Sequence, residues 1–444
     1  MDTRTDVNAG AQPGGAGRGA VGWIGRVTGI ERGEGPATVL AATYFFLLLA
    51  SYYLLRPIRE SMGISGGAEK LPWLMTGTLA VMLVASPAFG ALVSRLPRAR
   101  FVPLTYRFFA LNIVVFFVLF EVLPRPALGL GYAFYIWLSV FNLFVVSVFW
   151  GFLADVFAPA QARRLFGVIG VGGTLGAIAG AGLASVLAEG GRVLGLIAPK
   201  IDSAYLMLAA VIPLELSVWC ARGLARRAGA WGRGHHQTPE PTTDIWSGFR
   251  LLTGSPYLGG IALYIFLFTV PSTIIYIQQG SIVERTFADK ASRTAAFASL
   301  DLYTNILTLA VQLTATARLV RWLGLGAALA ILPTITLAGF AALFTSPTWG
   351  VLSVLQVVRR AAHYAVDRPS REMLFAPLGP DEKYKTKSFI DTFVYRAGDT
   401  MGGWAPTWMA AAGIGLPWLA FPVAAVSFVL AFWLGGRGER AGRR

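Results

Sequence analysis

The chain has 444 residues, of which 55% are hydrophobic and only 14% are charged. A soluble domain carries about 25% charged residues, so this composition excludes an ordinary soluble protein. The formal net charge of +15 would suit a protein that binds nucleic acid, but the basic residues lie mostly in alternate loops, which is the positive-inside pattern of membrane proteins. The sequence therefore predicts an all-α membrane protein that does not bind nucleic acid.

Residues 1–35 are polar and rich in glycine, and they lack the apolar core of a signal peptide. We expect them to form a disordered cytoplasmic tail. Cys220 is the only cysteine, so the sequence has no disulfide framework and no cysteine-rich metal site. It also has no catalytic triad, metal-ligand cluster or large soluble loop, and we expect neither an enzyme nor a bound metal or cofactor.

Apolar segments long enough to cross a bilayer then recur to the end of the chain, and we predict twelve transmembrane spans. Arginine and lysine concentrate in the loops after even-numbered spans and at both chain ends, so both termini are expected to be cytoplasmic, in a bacterial inner membrane. The predicted spans are 37–61, 71–93, 101–123, 128–155, 165–188, 203–221, 256–278, 293–317, 325–344, 349–374, 388–411 and 415–435.

The longest loop, 223–255, divides the spans into two sets of six. We predict bundles at 36–222 and 256–436, with a basic cytoplasmic tail at 437–444. The adjacent His235 and His236 in this loop resemble a metal pair, but neighbouring side chains point apart, which favours a solvated linker. Two six-helix halves joined by a cytoplasmic loop are typical of the major facilitator fold, whose substrate site lies between the halves.

The glycine-rich stretch "GVGGTLGAIAGAG" at 170–182 admits two interpretations. A phosphate-binding loop requires a strand before it and a helix after it, whereas Gly172, Gly176 and Gly180 lie inside a span without charges. Their spacing favours close packing of helices. Gly398 and Gly402 occupy the corresponding positions in span 11.

Polar residues form stripes along three apolar spans of the second half. Ionisable groups in a span are costly and normally face a cavity or a partner. The stripes predict a water-filled interior lined by both signs of charge, although pairing between helices, in which Asp391 could join, explains some members. They are Asp301, Asn305, Thr308 and Gln312 in span 8, Gln356, Arg360, His363 and Asp367 in span 10, and Thr392, Arg396, Asp399 and Gly403 in span 11.

Span 1 ends in charged residues: Arg56 and Arg59 share one helix face, and Glu60 is adjacent. Arg56 lies roughly 28 Å along the helix from Ala37, so its side chain could reach the bilayer surface. Two arginines on the non-cytoplasmic side, however, oppose the charge rule. The equivalent position in span 7 is Gln278, polar but uncharged, which suggests that the arginines serve a ligand.

At these residues the chain resembles the ATP/ADP antiporter family of nucleotide transporters. The segment "LLRPIRESM" is similar to the family's first-span Arg-Asp-Thr-Lys-Asp motif, with Arg59 at its lysine. Three other segments carry the likeness: "FWGFLADVF" (149–157), which contains Asp155, "RRLFGVIGVGGTLGAI" (163–178) and "DRPSREMLFAPLGPDEKYKTKSFID" (367–391). The resemblance implies a major-facilitator-like exchanger in which Arg59 contacts substrate phosphates.

The chain departs from the family pattern at two places. Nothing from 126 to 154 is acidic, so the family's span 4 acid has no counterpart. The family's span 11 motif Arg-Leu-Gly-Lys-Ser-Gly-Gly appears as "RAGDTMGG", with Asp399 at the lysine. An anion in place of a phosphate-facing cation argues against the same polyphosphate in the same pose. Asp301 could replace the family's span 8 acid.

The leading hypothesis is a secondary transporter that moves an anionic solute, a nucleotide or another phosphorylated metabolite, by alternating access. One alternative is a proton-coupled exporter of a cationic or amphiphilic compound, and another is a non-transporting membrane partner. The candidate substrate-binding residues are Arg56, Arg59, Glu60, Gln278, Arg360 and Arg396. The candidates for gating, or for coupling to a proton, are Asp155, Asp301, Asn305, His363, Asp367, Asp391 and Asp399.

Overall fold

The structure of the protein is a computed structural model. It describes residues 30 to 442 except 32, 96–97, 124–126, 194–195, 199, 231–244, 376, 380–381, 383–385, 388 and 416. Most of the predicted disordered tail and the histidine pair at 235 and 236 lie outside the described residues. Both expectations therefore stay predictions.

Every predicted span corresponds to a helical segment, and we keep the span numbers. The segments are Gly35–Gly63, Leu71–Arg95, Arg98–Val122, Leu128–Val156, Pro159–Glu189, Ser203–Ala230, Pro256–Thr286, Lys290–Thr314, Thr316–Thr345, Trp349–Leu374, Ile390–Ala411 and Pro417–Gly442. Span 10 comprises Trp349–Ala362, a π-helical turn at His363–Asp367 and Arg368–Leu374. Span 11 begins with a π-helical turn at Ile390–Val394 and continues as Tyr395–Ala411.

Short elements connect some of the spans. A 3₁₀ turn at Ala68–Lys70 precedes span 2, and a short helix at Ile245–Gly254 precedes span 7. Between spans 5 and 6, β1 (Gly191–Val193) pairs antiparallel with β2 (Leu196–Ala198). By length and composition, nine helices of the described part could each cross a membrane. The fold is thus an all-α membrane fold.

Span 9 contains a bend that explains its predicted start. Its helical segment begins at Thr316, but Gly324 has a φ of 79°, in the left-handed region that glycine adopts without steric cost. The apolar part predicted at 325–344 begins directly after this residue. The preceding turns of the segment carry Arg318 and Arg321, which lie between the predicted spans 8 (293–317) and 9 (325–344).

The glycine stripe of span 5 packs against the backbone of span 1. A Cβ atom at Gly172, Gly176 or Gly180 would collide with the carbonyl groups of Ala42, Phe46 and Ala50, one after another along the helix. The predicted close packing of helices is confirmed. A matching contact joins spans 7 and 11, where a Cβ at Gly402 would lie 2.6 Å from the carbonyl oxygen of Val270.

The first six spans and the last six spans meet at the end of the molecule where span 1 runs into span 2. Ile64 and Leu71 from the first set share an apolar cluster with Val283 and Phe297 from the second. The Ser61 hydroxyl donates to the Lys290 carbonyl at 3.2 Å. We call this region the closed end. The division into two bundles at 223–255 stays a prediction.

Further hydrogen bonds join the two sets near the closed end. The Glu284 carboxylate accepts from the backbone N–H of Ala68 at 2.9 Å. The Trp404 indole donates to the Thr76 hydroxyl at 3.1 Å. These contacts fix span 2 and the turn before it against spans 7 and 11, next to the charged side chains that lie deeper between the two sets.

Candidate functional site

A cavity of about 330 Å³ lies between the first six and the last six spans. Spans 1, 2 and 4 contribute one wall and spans 7, 8, 10 and 11 the other. Each polar stripe lies on one face of its helix, and each of these faces contributes residues to the cavity wall. Charged residues from distant parts of the sequence therefore meet there. Its charged wall residues are Arg56, Arg59, Arg359, Arg360, Arg396, Glu60, Asp301 and Asp399.

Asp301 bridges two arginines from different spans. Its Oδ1 accepts from Arg56 Nη1 at 2.8 Å and from Arg360 Nη2 at 2.7 Å. The residue is only 2% exposed, and a buried carboxylate is tolerated when it is paired in this way. Arg56 belongs to span 1 and Asp301 to span 8, so this ion pair joins the first six spans to the last six.

Arg59 lies in a cluster of aromatic and acidic side chains. Its Nη1 donates to Glu60 Oε1 at 2.9 Å, and its guanidinium lies over the ring of Tyr135 at 4.0 Å from the centroid. Glu60 also accepts from the hydroxyl of Tyr276, on span 7. Both span 1 arginines thus line the cavity. Their side chains do not extend to the bilayer surface, which was the alternative that the helix length allowed.

The span 11 residues form a weaker pair. Arg396 Nη1 lies 3.4 Å from Asp399 Oδ2, and Asp399 Oδ1 accepts from the Thr273 hydroxyl at 3.0 Å. Both residues line the cavity. Gly403, the last member of the predicted stripe, lies against Met75 and Pro72 of span 2 instead.

Arg359 is a wall residue that was not among the sequence candidates. It is 4% exposed. Its Nη1 donates to the Ser272 hydroxyl and its Nη2 to Gln356 Oε1, both at 2.9 Å, and Gln356 in turn bonds to Gln279. At helical spacing Arg360 belongs to the polar stripe and Arg359 lies next to it. The long arginine side chain nevertheless reaches the cavity from this neighbouring position.

His363 lines the cavity, whereas Asp367 lies behind it. The His363 ring stacks on Phe268, with its Nδ1 3.1 Å from Asp367 Oδ2. Asp367 is buried and also bonds to Tyr264 and Arg371. The π-helical turn at 363–367 adds a residue to one helical turn, which rotates Asp367 away from the face of Gln356.

Three further predicted residues, Gln278, Asn305 and Asp155, do not line the described cavity wall. Gln278 does not line the cavity and its neighbour Gln279 does, because a shift of one residue turns a helix by about 100°. Asn305 is buried and donates to the Asp301 carbonyl. Asp155 lies exposed at the end of span 4. The side chain of Asp391 lies outside the described part.

Aromatic and hydroxyl groups complete the wall, and the sequence patterns did not single them out. The hydroxyl groups of Tyr135 and Tyr276 form a hydrogen bond with each other at 2.8 Å, in which either oxygen can be the donor. Tyr364 and Tyr395 lie beside the arginines of spans 10 and 11. An aromatic residue in an apolar span carries no periodic signal, so only the packing reveals which rings face the cavity.

The comparisons with known proteins agree with this architecture. A bacterial homologue of the human lysosomal transporter Spinster, in an inward-facing and unoccupied conformation, superposes with a TM-score of 0.57 over 93% of this chain and 98% of that one, at 14% identity. A D-xylose–proton symporter gives a TM-score of 0.60 over 89% and 96%, at 13% identity. The fold is therefore that of the major facilitator transporters.

Sequence relatives point to one family within that fold. The family model described as "TLC ATP/ADP transporter" matches residues 131–349. ADP,ATP carrier protein 1 of Chlamydia pneumoniae is 21% identical over 88% of this chain and 88% of its own length. A chloroplastic ADP,ATP carrier protein 1 of Arabidopsis thaliana is 21% identical over 61% of this chain, which spans 47% of that longer protein.

The family match and the carrier relatives indicate a multi-pass membrane transporter, not an enzyme. The resemblance seen in the sequence is confirmed by the family match and by the carrier relatives. Over residues 131–349 the chain is similar to the TLC ATP/ADP transporter family.

Proposed function

We propose that this protein moves an anionic organic solute, a nucleotide or another phosphorylated metabolite, across the membrane by alternating access. The observation that carries the proposal is the cavity wall, where five arginines face three carboxylates. Guanidinium groups match phosphate oxygens in charge and geometry. The names of the relatives, which are carriers of ADP and ATP, support a nucleotide as the class of solute.

The roles of the wall residues follow from their contacts. Arg56, Arg59, Arg360 and Arg396 bind the anion, and Glu60 orients Arg59. Asp301 holds Arg56 and Arg360, and Asp399 holds Arg396, at the positions where these arginines also contact the bound anion. The closed end must then separate for the solute to leave on that side. We propose that this end faces away from the cytoplasm of a bacterial cell and that both termini are cytoplasmic.

The alternative, export of a cation, is less well supported. Each of the three wall carboxylates in the described part lies within 3.4 Å of an arginine nitrogen. A cationic solute would have to compete with these built-in cations. Coupling to a proton through His363 and Asp367 stays compatible with anion transport.

The test is exchange in proteoliposomes. Purified protein is reconstituted with unlabelled nucleotides or sugar phosphates inside, and uptake of the labelled compounds is measured. We expect uptake that depends on an internal anion, and Arg59→Ala should reduce it by at least about tenfold because a charged contact to the anion is lost.

Arg285→Ala is the matched control, since Arg285 is exposed at the end of span 7 and lies away from the cavity. Both variants should elute as the native protein in size exclusion. Full transport of the whole panel by Arg59→Ala would contradict the proposal, as would uptake of cations only.

A further inference from the structure

We infer that the cavity selects a phosphate monoester dianion, such as a nucleoside monophosphate, over nucleoside diphosphates and triphosphates, and that Arg359 is the first contact of the phosphate. The inference rests on the proposed function, because it names the class of anion that the same cavity takes.

Arg359 is the cavity arginine whose charge has no carboxylate partner among the described residues. Its Nη atoms donate to the neutral side chains of Ser272 and Gln356, and its buried Nε has no acceptor. A buried charge without a counter-ion is costly within a membrane protein. An anion that enters the cavity removes this cost at Arg359 before it displaces any existing ion pair.

The other four wall arginines are already engaged by carboxylates. Arg56 and Arg360 share Asp301, Arg59 contacts Glu60 and Arg396 contacts Asp399, at distances between 2.7 and 3.4 Å. A second or third phosphate group would have to take an arginine from one of these carboxylates. The displaced carboxylate would then stay inside the cavity without a partner.

The charge balance of the wall favours two negative charges on the ligand. Five guanidinium groups and three carboxylates leave an excess of two positive charges when all of them are ionised. A phosphate monoester carries a charge of about −1.5 to −2 at pH 7, which neutralises this excess. Diphosphates and triphosphates carry more charge, and the surplus would have no cation on the wall to pair with.

The size and lining of the cavity also suit a small phosphorylated compound. Its volume of about 330 Å³ is near the lower end of the range of roughly 300–1,000 Å³ for ligand sites. Phe268, Tyr364 and Tyr395 lie on the same wall as Arg359 and offer apolar rings for the organic part. Free inorganic phosphate would leave these rings without a contact.

The experiment compares the binding of AMP, ADP, ATP, inorganic phosphate and adenosine to the purified full-length protein, by calorimetry without magnesium. We expect AMP to bind at least about tenfold more tightly than ATP, phosphate or adenosine. Arg359→Gln should weaken AMP binding by about thirtyfold or more. Arg359→Lys should recover part of the loss, and the exposed Arg285→Gln should change nothing.

A second variant tests the charge balance by itself. Asp399→Asn removes one negative charge from the wall, and it should shift the preference from AMP toward ADP. Three outcomes would overturn this inference and leave the proposed function standing. The native protein could bind ATP or ADP as tightly as AMP, it could bind phosphate as tightly as AMP, or Arg359→Gln could keep the native affinity for AMP. No binding of any anion would overturn the proposed function as well.

Discussion

Glu34 shows how one residue secures the start of the membrane bundle. It lies just before span 1, where Arg164 at the start of span 5 donates to both of its carboxylate oxygens, at 3.2 and 3.0 Å. Burial by itself raises the pKa of Glu34, but hydrogen bonds from the Glu31 N–H, Arg164 and Gln161 outweigh it, so the pKa lies below its ordinary value.

The lowered pKa predicts how stability depends on pH. Because the folded state binds the Glu34 proton less tightly than the unfolded state, the stabilisation is present above about pH 4.5 and is lost as the pH falls through the folded pKa. Glu34→Gln should lower the free energy of unfolding by about 1 kcal/mol at pH 7.

Thermal denaturation of the two proteins from pH 7 to pH 3.5 checks this expectation. The gap in melting temperature should narrow as the pH drops below about 4.5. Glu382→Gln serves as a control for the loss of one carboxylate elsewhere. A gap that stays constant or widens in acid would contradict the role given to Glu34.

The residue scale also shows where sequence reasoning succeeded and where it failed. Arg56 and Arg59 were singled out because charges at the end of a span oppose the positive-inside rule, and both lie in the cavity. Gln278 was chosen by an offset between the halves, and the cavity contains Gln279. Arg359 was passed over, since a stripe at helical spacing includes only one of two adjacent arginines.

At the scale of elements, the small-residue contacts of spans 1 and 5 set how closely the helices approach. Along span 5, Gly176 lies where any side chain would enter the carbonyl group of Phe46. Gly170, six residues earlier on the same helix, has no atom within 4 Å of a Cβ position. The two glycines therefore offer a test of packing with a control in the same span.

We expect Gly176→Ala to lower the stability of the folded protein by about 1–3 kcal/mol, the usual result of overpacking. The measurement is thermal unfolding in detergent, followed by intrinsic fluorescence. Gly170→Ala should unfold at the native temperature or slightly above it, because alanine is the better helix former. Equal melting temperatures for the two variants would show that the close approach has no energetic role.

The two π-helical turns mark the elements where local sequence rules are least informative. They lie at His363–Asp367 and Ile390–Val394, in spans 10 and 11, both of which line the cavity. Such turns are uncommon and recur near functional sites. A stripe counted at 3.6 residues per turn loses its phase across them, which is why His363 faces the cavity and Asp367 does not.

At the scale of the whole molecule, Asp301 connects the two sets of spans that must move against each other. Its contact with Arg56 crosses from the last six spans to the first six, while its contact with Arg360 stays within the last six. Loss of one partner of a buried ion pair costs about 3–5 kcal/mol. That free energy is comparable to the roughly 5.5 kcal/mol that shifts a two-state conformational equilibrium from 1:99 to 99:1.

Asp301→Asn should therefore populate conformations in which the closed end has opened. Spin labels at Lys70 and Ala288, both exposed near this end, would report the change as a longer-distance population in a cysteine-free Cys220→Ser background. Glu372→Gln is the control, because the Glu372–Lys387 pair joins span 10 to the segment just before span 11 without crossing to the first six spans. Identical distance distributions in Asp301→Asn and the control would refute the bridging role.

The sequence by itself determined the membrane class, the order of the helical segments and the stripes that carry charge. These properties follow from local rules, namely the length of apolar runs, helical periodicity and the position of cations relative to the bilayer. The sequence also predicted the close helix packing at the glycines, because small residues repeated every four positions inside a span are typical of helix–helix contacts.

Only the tertiary structure decided which charges meet. Asp301 and its partner Arg56 are 245 positions apart, and no local pattern indicates that one carboxylate oxygen lies between two guanidinium groups. The same holds for Arg359, which differs from the other wall arginines because no carboxylate of the described residues pairs with it. Whether a buried cation is neutralised depends on what the packing of several helices brings within a few ångströms, and this balance of charge governs which anion the cavity can accept.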